Sequence, residues 1–505
     1  MWFKKNEKSS KCSIDTTLPY RMENNIEMSS LKKILGKSSD VKLQEIFING
    51  NEKFSATLIY IDGMVNIQYL SDYILKPIAQ EVKFGALKNI KEVISLIKGG
   101  GVYFPSLSES KNPEVILTEI LSGQAALLFE QCDTAIIFDV KGFEKRAITE
   151  TTNENILSGA KDCFVETLNV NTAMVRRKLK TKHLVIEKAI IGDETNTGVA
   201  MIYVEGIAET SLIEDIREKI KNIDILGMLS PGGIEELILD SNYSTFPQLL
   251  NTERVDKFCS NVLEGRVGII IDGFPVGYVL PSLFIQFLQV PENYSENIIV
   301  STLIRILRYG LMILTMAFPG FYISLTSFNV EMIPDNLANA ISKYRIGVTF
   351  PSFIETILMV IAFEILLEAG NRMPKNIGQA VSVVGALIVG EAAVNAKLVS
   401  PSVVIVVALT AIAGFSAPIA GFANALRIWR LIATIASSVL GLVGLIFTAI
   451  ALLFCLVKIE NFGVPYMAPL VSTDGEDMRD VISRPSAKSL KKQFKYHKSL
   501  KSGGQ

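Results

Sequence analysis

A chain of 505 residues with 49% hydrophobic side chains, 20% charged and a formal charge of −1 has too much apolar mass for disorder and too little basic excess for a nucleic-acid binder. A mean hydropathy of +0.34 beside one-fifth charged residues suggests a soluble part joined to a membrane part. Charge by segment locates the join: residues 299–457 hold 15 of the Asp, Glu, Lys and Arg residues, about 9% of positions, against about 25% elsewhere.

Residues 1–40 are polar and Lys-rich, with no apolar core of a signal peptide, and read as a flexible leader. Residues 41–150 read as a first α/β subdomain. Apolar runs predict strands at 45–49, 54–62, 125–130 and 134–140, and helical spacing predicts helices at 72–78, 90–97 and 114–121. Residues 151–298 read as a second α/β subdomain with a linker to the membrane. An amphipathic helix is expected over 160–180, strands over 183–191, 199–204 and 266–272, and a helix over 211–223. Residues 274–290 are apolar but hold Pro275 and Pro281, and read as a loop, an interfacial segment or a re-entrant element. Five scattered cysteines, without a C-x-x-C pair, indicate neither a disulfide framework nor a zinc ribbon.

A helical membrane domain of four to six spans is expected over 299–457. Four stretches reach the roughly 20 apolar residues a crossing needs: 299–325, 377–396, 398–420 and 428–457. At ~1.5 Å per residue the last would extend about 45 Å as one helix, so it must tilt or project, with Trp429 and Arg430 as interface anchors. A fifth stretch, 353–369, carries Glu355, Glu364 and Glu368 and spans only if those carboxylates face protein or water. The final segment, 458–505, ends in a tail with seven Lys/Arg and no acid after residue 480, which places it in the cytoplasm with the N-terminal region. That arrangement needs an even number of crossings, and four is the favoured count.

With only His183 and His497, and no phosphate-loop or dinucleotide motif, no catalytic residue, metal ligand or cofactor is read and no enzyme is expected. Charge inside the apolar segment is more informative, because an Asp, Lys or Arg at the bilayer centre costs ~2.5–3.5 kcal/mol. Glu391 is one candidate. Glu364, Glu368, Arg372 and Lys375 recur at helical spacing, either as a vestibule lining or as a helix end in water. Gly378, Ser382, Gly385 and Val389 share one small-residue face. It serves helix packing within a subunit, or a pore helix in which Val383 or Val389, flanked by Gly385 and Gly390, forms a dewetting gate. Arg176 and Arg177 end the 160–180 helix, as contacts for lipid or a partner or as a solvated terminus.

Several motifs resemble one family. Phe164-Val165-Glu166 with Asn171 and Arg176-Arg177, Phe246-Pro247-Gln248, Thr252-Glu253-Arg254 and Leu263-Glu264-Gly265-Arg266-Val267 to Asp272-Gly273 are similar to the soluble-domain motifs of spore germinant receptor A subunits, the GerA family. Glu364 through Glu368-Ala369, Arg372-Met373-Pro374, Val384-Gly385 through Gly390-Glu391-Ala392-Ala393, Leu398-Val399-Ser400-Pro401 and Gly463-Val464-Pro465-Tyr466 follow in the family's order. Thr151 and Val255 stand where that family usually has proline. The resemblance implies a spore inner-membrane protein whose soluble domain faces the core. It also implies a transporter-like B subunit that recognises the nutrient, a lipoprotein C subunit, and a homo-oligomeric, pentameric cation channel opened by nutrient. Two other classes stay open: a transporter subunit, against which no internal repeat is visible, and a non-conducting scaffold for signalling partners.

Overall fold

The computed structural model describes residues 28–142, 161–471 and 480–484, apart from 52–53, 86, 88, 240–243, 291 and 374–389. Two five-stranded antiparallel sheets form the soluble part. The first contains β1 (Val41–Phe47), β2 (Ser55–Ile61), β3 (Leu107–Ser110), β4 (Ala125–Phe129) and β5 (Thr134–Phe138), in spatial order β1-β2-β4-β5-β3. The second contains β6 (Leu184–Ile191), β7 (Thr197–Val204), β8 (Leu250–Thr252), β9 (Val267–Ile271) and β10 (Gly277–Leu280), in order β6-β7-β9-β10-β8. Every pairing in both sheets is antiparallel. Strands β4, β5 and β9 are buried at every position, which is why they read as continuous apolar runs rather than alternating ones.

The two sheets are the same design used twice. Val41 opens β1 and Leu184 opens β6; Ser55 and Thr197, Pro113 and Val255, and Ala125 and Val267 likewise begin matching elements 142 or 143 residues apart. The left-handed turn glycines follow suit, Gly63 with Gly206 and Gly123 with Gly265. The sequence reading saw no repeat. Its side chains have diverged while strand order, buried periodicity and turn positions stayed, so the duplication shows only in the backbone.

Helices cover both faces of each sheet. In the first unit, α1 (Met28–Leu35) and α2 (Pro113–Leu121) pack on one face through Leu31, Ile116 and Ile120, and residues 67–97 cover the other through Ile74, Ile78 and Val93. Residues 28–40 are therefore core structure, not part of a flexible leader. In the second unit, α3 (Leu168–Lys178) and α5 (Val255–Leu263) cover one face and α4 (Thr210–Lys221) the other. Helix α3 starts eight residues later than the 160–180 reading. Asn171 holds the approach by accepting from the Val165 N–H at 2.8 Å, and Asp272 accepts from the Leu168 N–H at 2.8 Å at the helix's first turn. The Phe258 ring of α5 lies against Gly268 and Gly277: a Cβ at Gly268 would come within 2.1 Å of it.

A buried charge cluster joins the two units. Arg176 and Asp40 are each 1% exposed; the guanidinium donates from Nε to Oδ2 at 3.0 Å and from Nη2 to Oδ1 at 2.8 Å, and also to Ser38 Oγ and the Leu184 carbonyl. Arg176 thus closes an internal joint and is not available to lipid or a partner; Arg177 beside it is half-buried. Asp40→Ala would strand a buried guanidinium, and a loss of about 3–5 kcal/mol is expected, read as a lower urea midpoint. Cys259 of α5 is also buried, and burial pushes its thiol from 9.0 up to about 12. The folded chain is expected to resist iodoacetamide at Cys259 near pH 8 and to react in denaturant. Because the folded pKa is the higher one, this group's contribution is complete below pH 9.0 and is lost as pH rises towards 12.

The helical region follows: α6 (Ile298–Ile323), α7 (Asp335–Arg345), α8 (Ser352–Arg372), a helical stretch at 390–395, α9 (Pro401–Gly414), α10 (Ala420–Leu440) and α11 (Leu442–Lys458), closed by the β11–β12 hairpin (Glu460–Asn461, Val464–Pro465). Among the described residues one helix, Ile298–Phe328, is long and apolar enough to cross a membrane; α9 and α11 are apolar but shorter. The expected single helix over 428–457 is two. Gly441 breaks it at φ 61°, ψ −138°, a backbone that a side chain would strain, and α11 folds back so that Leu456 shares a core cluster with Leu426. Residues 274–290 are not re-entrant. They supply β10 and the ring pair Phe284 and Phe287, which with Phe246, Phe422 and Tyr466 form an aromatic seat between the second sheet and α10. Phe246 and Tyr466, both in motifs carrying the family resemblance, meet there, and the Tyr466 hydroxyl donates to the Pro247 carbonyl at 3.0 Å.

Candidate functional site in the helical region

Helix directions set the stage. α6 leaves the soluble part, and its far end meets the start of α9, where the Tyr322 and Ser402 hydroxyls lie 2.8 Å apart. At that end Glu355, fully buried near the start of α8, accepts from the Ser400 N–H at 2.8 Å and so caps α9. Arg345 of α7 lies 3.8 Å from the same carboxylate. α10 begins in the aromatic seat and ends beside Gly320 of α6.

The stripe expected at Glu364, Glu368, Arg372 and Lys375 divides. Glu368 and Arg372 form the i,i+4 pair that their spacing predicts, at 2.7 Å, but both are exposed, at 59% and 80%, so the bond is worth only about 0.3–0.5 kcal/mol. Glu364 turns instead to α10, where it pairs with Arg430 and lies 3.8 Å from Arg427. Arg430 is 4% exposed and stands near the middle of its 21-residue helix, its guanidinium turned to Glu364. Its neighbour Trp429 donates to Thr245 Oγ1 of the soluble part at 3.0 Å. The apolar length of 428–457 suggested one span beginning at these residues, whereas α10 begins at Ala420.

Glu391 is exposed and Gly390 buried, with Val404 of α9 3.5 Å from where a Cβ would stand. Lys375, Gly378, Ser382, Val383, Gly385 and Val389 lie outside the described residues.

A second charged centre ties the chain's C-terminal segment to α6. Arg305, 1% exposed, donates from Nη1 to Asp480 Oδ1 at 2.8 Å and to the Asp480 carbonyl at 2.9 Å. Tyr294 donates its hydroxyl to Asp480 Oδ2, and Gln289 donates to the Asp480 carbonyl at 2.8 Å. Arg484 donates to the Tyr294 carbonyl at 2.7 Å, and Val481 is buried beside Leu283 and Ile285. Burial, reinforced by the Asp480 charge, holds the Tyr294 hydroxyl well above its ordinary value, so it stays a donor. The sequence reading passed over Asp480. Its signal was position: it is the last acid before seven basic residues.

Among the described residues no cluster of His, Cys, Asp and Glu could hold a metal ion. Comparison with known proteins agrees on lineage. A sequence model of the family described as Bacillus/Clostridium GerA spore germination protein matches residues 29–496. Spore germination protein KA of Bacillus subtilis (strain 168) is 37% identical over 458 residues, covering 90% of this chain and 83% of that protein. Spore germination protein B1 of the same organism is 33% identical, covering 93% and 96%. The crystal structure of the N-terminal domain of the A subunit of the Bacillus megaterium spore germinant receptor GerK3 is 30% identical, covering 52% of this chain and 99% of that one, with a TM-score of 0.40. The chain therefore belongs to the GerA family of spore germination proteins and has its role in spore germination.

Proposed function

We propose that this chain is the A subunit of a nutrient germinant receptor in the spore inner membrane, and that its helices assemble as a pentameric, nutrient-gated cation channel. It would act with a transporter-like B subunit and a lipoprotein C subunit, its soluble units facing the spore core. The observation that carries this reading is the family match, which runs through both the soluble and the helical parts, residues 29–496. A bundle in which Glu364, Arg430 and Glu355 turn inward among apolar helices is the kind of structure such a pore requires.

An even number of crossings, four or six, would keep both termini on one side. In this reading Val383, Gly385, Val389, Gly390 and Glu391 line the pore as one segment. Val389→Ala should conduct without nutrient, and Glu391→Gln should shift the ratio of cation to anion permeability. Flux through liposomes carrying the complete receptor checks both, and variants with wild-type gating and selectivity would remove this segment from the pore.

A further inference from the structure

A cavity of about 330 Å³ lies beyond the end of α6 remote from the soluble part, between α7 and the connection at 326–333. Ile333, Ile341, Val348 and Phe350 give it an apolar lining, and Arg345, the last residue of α7, stands among them. Val330 and Ile346 carry that lining out to the surface, where Phe328, Met332 and Leu337 are exposed as well. We propose that this cavity holds one anionic phospholipid, its phosphate against Arg345 and Lys397 and an acyl chain along Ile341, Val348 and Phe350.

Position and charge both support that occupant. The connection follows directly on Ile298–Phe328, the helix long and apolar enough to cross a membrane, so the cavity sits where a spanning chain leaves the bilayer. The proposal rests on that crossing and not on conduction. Helix α7 has no buried residue, and with Leu337 and Tyr344 exposed two turns apart on one side it suits the headgroup plane. Basic groups gather at its end. Lys343 and Arg345 close α7, and the Lys397 carbonyl accepts from the Thr349 N–H at 3.0 Å, which brings the Lys397 Nζ to 3.1 Å from where a Cβ on Gly347 would stand. Neither lysine side chain has an ion-pair or hydrogen-bond partner among the described residues. The Arg345 Nε is buried without a hydrogen-bond partner, and Glu355, 3.8 Å from this guanidinium, is beyond hydrogen-bond reach and already caps α9 through Ser400. Asp335 stands at the other end of α7, about 15 Å away along the axis. A phosphate diester supplies acceptors to these donors, and its acyl chain fills the apolar part that an inorganic anion leaves empty.

The test titrates the full chain in detergent with phosphatidylglycerol or phosphatidylcholine of the same acyl chains and counts bound lipid by native mass spectrometry. One phosphatidylglycerol is expected to bind about tenfold more tightly than the first phosphatidylcholine. Arg345→Gln and Lys397→Gln should each weaken it by about fivefold and leave phosphatidylcholine unchanged. Lys397 is exposed, so its variant tests the site without touching the packing. Ala338→Phe, which fills the cavity from α7, should weaken both lipids. Lys458→Gln, at the end of α11, should leave the preference in place, and millimolar inorganic phosphate should not displace the lipid. Equal affinity for the two lipids, or a wild-type preference in both basic variants, would overturn the proposal. So would displacement by inorganic phosphate, the mark of a site for a free anion. Lipid counting reads no ion flux, so its failure would leave the channel reading untouched.

Discussion

Asp480→Ala is expected to destabilise the chain by about 3–5 kcal/mol, because it leaves the guanidinium of Arg305 buried without a carboxylate. Four donor contacts to residue 480 or its carbonyl come from Arg305, Tyr294 and Gln289, and the side-chain ones disappear together. The loss should be local before it is global. Hydrogen exchange at residues 480–484 is expected to rise by orders of magnitude while the β6–β10 sheet keeps its protection. Arg305→Met combined with Asp480→Ala should recover much of the stability, since an apolar pair of similar volume costs less than an orphaned charge. Exchange at 480–484 unchanged in Asp480→Ala would show that Val481 and the apolar contacts hold the segment by themselves.

Glu364→Gln is the second large effect. It removes the only carboxylate within ion-pair distance of Arg427 and Arg430 among the described residues, leaving two guanidinium groups facing a neutral amide. Arg430 is nearly fully buried, whereas Glu364 and Arg427 are about one-third exposed, so a cost near the lower end for a broken buried pair, about 3 kcal/mol, is expected. The readout is a lower melting temperature of the purified chain in nanodiscs. Glu364→Gln with Arg430→Gln, which restores charge balance to within one unit, should melt above the single variant. Glu368→Gln provides the contrast: its exposed partner Arg372 should make the change nearly silent.

How much of this was legible beforehand depended on range. Local patterns were readable. Strands β2, β4 and β5 fall where apolar runs placed them, and Glu368 and Arg372 pair as their spacing requires. What failed was anything decided by distant partners. Residues 428–457 look like one long span because Gly441 is a single residue in an apolar run, and its left-handed backbone matters only once α11 folds back on α10. Residues 274–290 read as a loop, an interfacial segment or a re-entrant element because strands and rings buried on all sides share a membrane segment's composition. Arg176 reads as a contact for lipid or a partner, or as a solvated helix end, because its partner Asp40 lies 136 positions away. Arg430 found Glu364 on another helix by the same logic. The duplicated sheet order was the least legible of all, because strand order, buried periodicity and turn positions were retained while the side chains diverged.

The activity proposed for this GerA-family chain is ion conduction when nutrient arrives. Its most direct measurement is potassium release from liposomes containing the wild-type chain, as a verified oligomer with its B and C subunits, before and after nutrient is added. Tight liposomes are expected without nutrient and rapid cation release with it. Liposomes that remain tight after nutrient binding has been demonstrated would contradict it.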